Sequence, residues 1–278
     1  LDFNGVTQFA WIDRNGELLK QSGLLGIRME KTTRAEALDR GSIQSSEDLT
    51  KRASVGLEDP IPNPTDLKHL TLSISGVSTQ SLQLAGGRQK YEHNTLRIEK
   101  ESLHGLLQIL PSGDLGQLEK TFLQPEPLIQ ADHPRVRQLV QSILGQSTEA
   151  TPLEKVRLLT EWIQRNIRKR PVVSVPDALS PLNNRMGDCN EHAMLMAALA
   201  RAAGIPTRVE AGLVYLRGRF YYHAWNLVYL GRWVSVDPLF GQIPADVTHI
   251  RLVTGSQQQQ LDLIALIGNV KIDVIDYD

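Results

Sequence analysis

Cys189, His223 and Asp237 are the residue types of a nucleophilic triad, and they follow one another at separations of 34 and 14 residues. Cys189 is the only cysteine of the 278-residue chain, and it lies in "GDCNEHA" between two polar residues rather than inside an apolar run. Asp188 reads as a helix N-cap, which places Cys189 in the first helical turn. Backbone N–H groups there lack partners and the helix dipole is positive, so a negative sulfur is stabilised. The thiolate is the nucleophilic form of cysteine. It needs a base that returns a proton to the leaving group. His223, in the middle of the strand-like "FYYHAWNLVYL", is rigidly aimed and suits that task. Asp237, closing "RWVSVDP", is the candidate group to orient the ring. A hairpin turning at Gly231-Arg232 pairs residue 226 with 237 and leaves His223 three positions further along. That is about 10 Å at ~3.4 Å per residue, so a bulge, a longer turn or strand twist must close the gap.

Polar residues around the thiol supply the rest of a cleft. Asn190, Glu191 and His192 form its expected edge, with Asn190 or Glu191 touching substrate. An attacked carbonyl develops negative charge on oxygen, and the Cys189 N–H is the natural first donor to it. Asn183 and Asn184 are near enough in sequence to be candidates for a second. Cys189, His192 and His223 also invite a zinc reading. A bound zinc would silence the nucleophile, and no second cysteine exists to complete a structural site, so no metal and no cofactor is expected. Trp225 and Tyr222 are expected in the core, on the strand face opposite His223.

The elements that must position these residues change character along the chain. Up to about Pro127 the pattern is of short strands and turns. "FAWIDRNGELLKQSG" alternates about Asn15-Gly16, a strong hairpin signal. "GIRMEKTT" continues as a strand and "TRAEALDRG" as a short helix capped by Thr33 and stopped at Gly41. "HLTLSISGV" puts Leu70, Leu72 and Ile74 on one face. "NTLRIEKESL" is similar, and "EDPIPNPTD" is an extended loop. "QPEPLIQADHP" reads as a linker. The period then becomes helical. "PRVRQLVQSILG" is one helix. "TPLEKVRLLTEWIQRNIRKR" is a second, opening with a capping box from Thr151 to Glu154 and a proline at the first helical position. Its apolar face runs through Val156, Leu159, Trp162 or Ile163, and Ile167. "DCNEHAMLMAALARAAG" is a third, closed by Gly204 and Pro206. Strands "TRVEAGLVYL", "RFYYHAWNLVYL" and "RWVSVD" follow as an antiparallel meander. The expectation is an α+β protein with two parts, a β-rich region 1–127 without a catalytic constellation and a domain 128–278 that carries the triad.

In order and spacing, "GDCNEHA", "YHAWNLVYL" and "WVSVDP" resemble the core of the transglutaminase-like superfamily, related in mechanism to papain-like cysteine proteases. The resemblance covers about Pro152 to Gly241. It implies helices packed on an antiparallel sheet, with Cys189 as nucleophile, His223 as base and acid, and Asp237 as orienting carboxylate. One departure follows the aspartate, where the family commonly has Asp-Pro-Thr and this chain has Asp237-Pro238-Leu239. The activity implied is acyl transfer from a carboxamide, a peptide bond or a glutamine side chain, through a thioester. Hydrolysis is favoured over amine crosslinking because water is always available. The alternative is a catalytically silent scaffold that binds a protein or cell-envelope partner.

Composition narrows the partners. Hydrophobic residues make up 41% and charged residues 22%, with a formal net charge of −1. No overall field or basic run draws the chain to nucleic acid, and a peptide or protein substrate is expected. No apolar stretch approaches the ~20 residues that span a bilayer. One cysteine excludes an internal disulfide framework. The chain begins at Leu1 without a signal-like segment, which reads as a processed or trimmed start. Resemblance to exported bacterial members suggests a periplasmic or secreted location.

Overall fold

The computed structural model describes residues 2–3, 6–7, 9–14, 18–22, 28–39, 54–80, 82–104, 116–145, 150–170, 176–254 and 269–278. Two antiparallel sheets and a helical layer organise most of it. In chain order the strands of these sheets are β1 (Ser54–Gly56), β2 (His69–Ser75), β3 (Gln89–Glu92), β4 (Thr95–Glu99), β5 (Thr207–Leu216), β6 (Arg219–Tyr229), β7 (Trp233–Val236), β8 (Ile250–Thr254) and β9 (Lys271–Tyr277). The principal helices are α1 (Pro134–Leu144), α2 (Pro152–Asn166) and α3 (Cys189–Ala202). Nearer the start, Phe9–Ile12, Leu18–Ser22 and Arg28–Glu30 form a small three-stranded sheet. The hairpin turn between the first two lies outside the described residues, as does Gly41. Arg34–Asp39 is helical, and Thr33 Oγ1 accepts the Glu36 N–H as a cap should.

The central sheet has the order β7-β6-β5-β8, with β1 also pairing β6. Along the outer edge of β6, β1 pairs residues 219–221 and β7 pairs residues 226–229. Residues 222–225 of β6 are therefore paired only with β5, and His223 sits in that gap. The β5–β6 turn is Arg217-Gly218, with φ of +50° and +85°. Positive φ at both positions is what a tight turn matching strand twist demands. Gly212 lies opposite His223, at a bulge in the β5–β8 pairing. A Cβ on Gly212 would stand 1.9 Å from the Ile250 carbonyl, so only glycine lets β8 come this close.

The second sheet has the order β9-β2-β4-β3. Leu70, Leu72 and Ile74 are fully buried on one face of β2, as their alternation requires. Between the two sheets they meet Leu213, Phe220, Ile250 and Leu252 in one core. The other core lies between the central sheet and the helices, and Val136, Val156, Leu159, Ile163, Leu195 and Val228 are fully buried there. Of the two alternatives for one position on the apolar face of α2, Ile163 is in the core and Trp162 packs only partly against it. α3 is buried at every position from Glu191 to Arg201, and its stretch from Ala193 to Ala200, apolar on all sides, belongs at the centre of its layer.

The fold is α+β, helices packed on an antiparallel sheet, as expected. Strand pairing crosses the expected boundary near Pro127 in two places. β1 joins the central sheet, and β9 at the chain's end returns to pair β2.

Candidate active site

The N-terminus of α3 is closed by Asp188 and Glu191. The Asp188 carboxylate accepts the Asn190 N–H at 2.8 Å, and the Glu191 carboxylate accepts the Asp188 N–H at 3.0 Å. Cys189 is the first residue of the helix and half-buried. Its N–H has no hydrogen-bond partner among the described residues, so it remains an available donor beside its own sulfur.

Glu191 is committed to this cap and is 2% exposed. It is therefore not at the edge of the cleft. Burial, then the hydrogen bond and negative charge of Asp188, push its carboxyl up to about 7. A carboxyl raised in the folded state costs stability as pH rises from about 4.5 through about 7. Glu191→Gln keeps the capping interaction and removes that cost. The variant is expected to melt with the wild type at pH 4.5 and about 2–4 °C above it at pH 8, by calorimetry.

His223 and Asp237 are in direct contact. The Asp237 Oδ2 accepts His223 Nε2 at 2.6 Å, and the two side chains are 0% and 3% exposed. The register explains the closeness. Asn226 pairs with Val236, not Asp237, because the β6–β7 loop is three residues, Leu230 to Arg232, with Gly231 at φ +88°. This corrects the expected pairing of 226 with 237. Asp237 then falls at the position facing Trp225, two residues from His223, and a period of two puts all three on one face. Trp225 is accordingly fully buried and lies against His223 with ring centroids 6.1 Å apart, not on the opposite strand face. Phe240 lies closer, at 5.0 Å and 18°.

Asp237 is held on both oxygens. Its Oδ1 accepts the N–H groups of Leu239 at 2.7 Å and Phe240 at 2.9 Å. The position usually threonine in the family thus contributes a backbone amide, which Leu239 supplies as well as any residue. α2 secures this turn through Gln164, which donates to the carbonyls of Pro238 and Leu239.

Burial alone would raise the Asp237 carboxyl. The charge and hydrogen bond of His223, followed by those of His249, instead hold it far below the usual carboxylate range. His223 is the converse case. Burial pushes its imidazole down, but the Asp237 carboxylate and then the nearby Cys189 sulfur raise it to about 9. Asp237 occupies Nε2, leaving Nδ1 for the sulfur. Sulfur, imidazole and carboxylate thus follow one another at the site.

The other sequence candidates fall in different places. Asn190 is at the site, and its Oδ1 accepts the Tyr222 hydroxyl at 2.9 Å. Tyr222 is thus a polar neighbour of the thiol as well as a packing residue, and burial with the charges of Cys189 and Asp188 pushes its hydroxyl well above the ordinary range. His192 is fully buried behind the first turn. Its Nδ1 donates to the Asp188 carbonyl at 2.7 Å, and burial lowers its proton affinity, so it is neutral. Asn183 is exposed and its Oδ1 accepts from Arg135 of α1, while Asn184 is exposed at the end of a short helix.

Sequence reasoning missed His249. Its Nε2 donates to the same Asp237 Oδ2 at 2.9 Å, and its Nδ1 lies 3.2 Å from Asp246 Oδ1. His223, Asp237 and His249 bring metal-ligand atoms within 4.8 Å of one another, which Cys189, His192 and His223 are not found to do. The nitrogen-to-oxygen separations of 2.6 and 2.9 Å are direct hydrogen bonds. An ion with bonds of about 2.0–2.2 Å to each ligand would have to push them apart.

Residues 137–238 match the family model described as the transglutaminase-like superfamily. Among solved structures, the chain is similar to a Cytophaga hutchinsonii protein provisionally assigned as a cysteine protease. Identity is 18%, covering 76% of this chain and 86% of that one, with a TM-score of 0.48. It is also similar to the periplasmic domain of TgpA from Pseudomonas aeruginosa, at 19% identity over 70% of this chain and 91% of that one, with a TM-score of 0.44. No curated protein matches the chain.

Proposed function

We propose that this chain, whose residues 137–238 match the transglutaminase-like model, is a cysteine-dependent acyltransferase acting on carboxamides, a peptide bond or a glutamine side chain, with water as the favoured acceptor. The observation that carries the reading is the line of groups at the head of α3. Cys189 begins the helix, its sulfur acts on the His223 ring, and Asp237 holds that ring at Nε2 at 2.6 Å.

The reaction follows from that line. The Cys189 sulfur attacks the carbonyl carbon, and the tetrahedral oxyanion is met by the free Cys189 N–H. Asn190 is the second donor in this reading, because Tyr222 occupies its oxygen and leaves its amide nitrogen to donate. His223 passes its proton to the departing amine, which leaves Cys189 as a thioester. Water, deprotonated by the now neutral His223, cleaves the thioester, and the imidazole recovers its proton. Asp237 remains ionised and stabilises each imidazolium.

The substrate is a peptide or protein, and no cofactor takes part. Resemblance to exported bacterial proteins supports an extracytoplasmic location. Among the described residues no helix is long and apolar enough to cross a membrane. The test is intact-mass spectrometry of the protein mixed with a glutamine-containing peptide library, with and without hydroxylamine. The expected result is an acyl adduct on Cys189 and release of free acid in water. Hydroxamate formation without free acid would assign an amine acceptor. With no adduct and no product, the silent-scaffold reading replaces this one.

A further inference from the structure

Asp237 Oδ2 is divided between two histidines, and the triad chemistry uses only one of them. The second, His249, is fully buried. Its other ring nitrogen faces Asp246 Oδ1, which also accepts the Thr248 N–H at 2.9 Å and hydroxyl at 2.6 Å. Asp246 Oδ2 accepts Gln242 Nε2 at 2.8 Å. Asp246 is thus anchored by its own loop, and His249 is a strut from that anchor to Asp237.

We propose that His249 is a positioning residue, which fixes the Asp237 carboxylate toward His223 and shares its charge. The inference rests on the triad reading above. Geometry gives the first half. Leu239 and Phe240 amides hold Oδ1, and His249 holds Oδ2 from a second direction. Rotating the carboxylate away from His223 would break three hydrogen bonds besides its own.

Charge gives the second half. Both nitrogens of His249 face carboxylate oxygens, and an oxygen of that kind only accepts. The ring therefore donates at both ends and is an imidazolium. Burial opposes this, but the two carboxylates more than reverse it. A second cation on Asp237 weakens the hold of that carboxylate on the His223 proton. His223 must release that proton to a leaving amine, so a lone buried aspartate would hold it too firmly.

The charged and titratable groups around the pair come from every neighbouring element. Asp237, Asp246 and His223 face the His249 ring, with the His223 centroid at 5.6 Å. Arg88 donates to the His249 carbonyl at 3.1 Å and is paired with Glu101. Cys189 and Asp237 face His223, and the Asp237 charge also reaches His192.

The experiment uses the full chain and its single thiol. Alkylation of Cys189 by iodoacetamide is followed against pH by intact mass in the wild type, His249→Gln and His249→Phe. In the wild type the rate holds an ion-pair plateau and changes where His223 loses its proton. Gln retains a donor to Asp237 and loses the charge, so that upper inflection is expected to rise by roughly one pH unit. Phe removes the donor as well, and the plateau rate is expected to fall. An upper inflection unmoved in a folded His249→Gln protein overturns the inference. If neither variant folds, imidazole nitrogen NMR of the wild type decides, with a doubly protonated His249 at pH 7 supporting it and a neutral ring overturning it. Absence of any plateau in the wild type would overturn the triad and this inference together. An intact plateau without amide turnover would overturn only the proposed reaction.

Discussion

His223→Ala is expected to abolish the low-pH reactivity of Cys189. In the wild type, His223 remains an imidazolium up to about 9, so it holds a charged partner beside the sulfur throughout the neutral range. The sign follows from that direction. A raised histidine keeps its proton at pH 6 and gives it up only as pH passes upward through its folded value, so the pair is intact at pH 6–8. Alkylation by iodoacetamide is then nearly flat over that window. Without the imidazolium, an ordinary thiol near 8.5 is less than about 1% ionised at pH 6, and its alkylation rises about tenfold per pH unit. Part of the difference in rate is offset because a stabilised thiolate is intrinsically less nucleophilic. A rate about tenfold lower at pH 6 is expected, together with the change from a flat to a rising profile. Turnover of any amide substrate should fall by about 10²–10⁴, the range for removing a positioned acid–base group. Two superimposable pH profiles would mean that His223 does not pair with the thiol.

The parts of the site that follow local rules were legible from the sequence. Asp188 before an apolar run reads as the N-cap that places Cys189 first in its helix, and it is there, while Glu191, expected at the cleft edge, is instead the other half of that cap. His223 in the middle of an apolar strand is there too. What depended on counting residues through a turn was not. Gly231-Arg232 reads as a two-residue turn, yet Leu230 joins the loop and Gly231 takes a positive φ, shifting the register by one. In a strand one residue is the whole difference between opposite faces, so that shift converts a gap of about 10 Å into a hydrogen bond. His249 was invisible for another reason. Its segment after Pro238 has no periodicity, and its bond to Asp237 exists only once the β7–β8 connection folds back. The nearest signal was Asp246 three residues before it, a spacing that by itself indicates only a turn. β3 was missed because "QKYE" does not alternate in polarity, and the return of β9 to β2 joins residues about 200 positions apart.

Asp237→Ala is expected to destabilise the protein by about 3–5 kcal/mol, the range for removing one partner of a buried charged group. Four donors converge on this carboxylate, two of them buried imidazoles and two of them backbone amides. Neither imidazole can turn to water, since Asp237 and both rings are essentially inaccessible. Asp237→Asn is the milder version, keeping the size and losing the charge. Its pH dependence separates electrostatics from packing. In the wild type, the depressed Asp237 carboxyl contributes stability that is present above about 4 and lost as pH falls toward its folded value. The raised His223 contributes stability that is present below about 6.5 and lost as pH rises through about 9. In the asparagine variant the chief opponent of the burial that pushes His223 down is gone, with only the weaker influence of the Cys189 sulfur remaining, so the ring is expected to fold neutral. The unfolded chain then binds the extra proton, and stability must rise as pH increases through about 6.5. Between pH 5.5 and 8.5 the urea midpoint should therefore fall in the wild type, and the midpoint of the variant should rise relative to it. Glu191 contributes the same decline to both proteins and cancels in the difference. Parallel midpoints would show that Asp237 serves packing alone, and that His223 is not held charged by it.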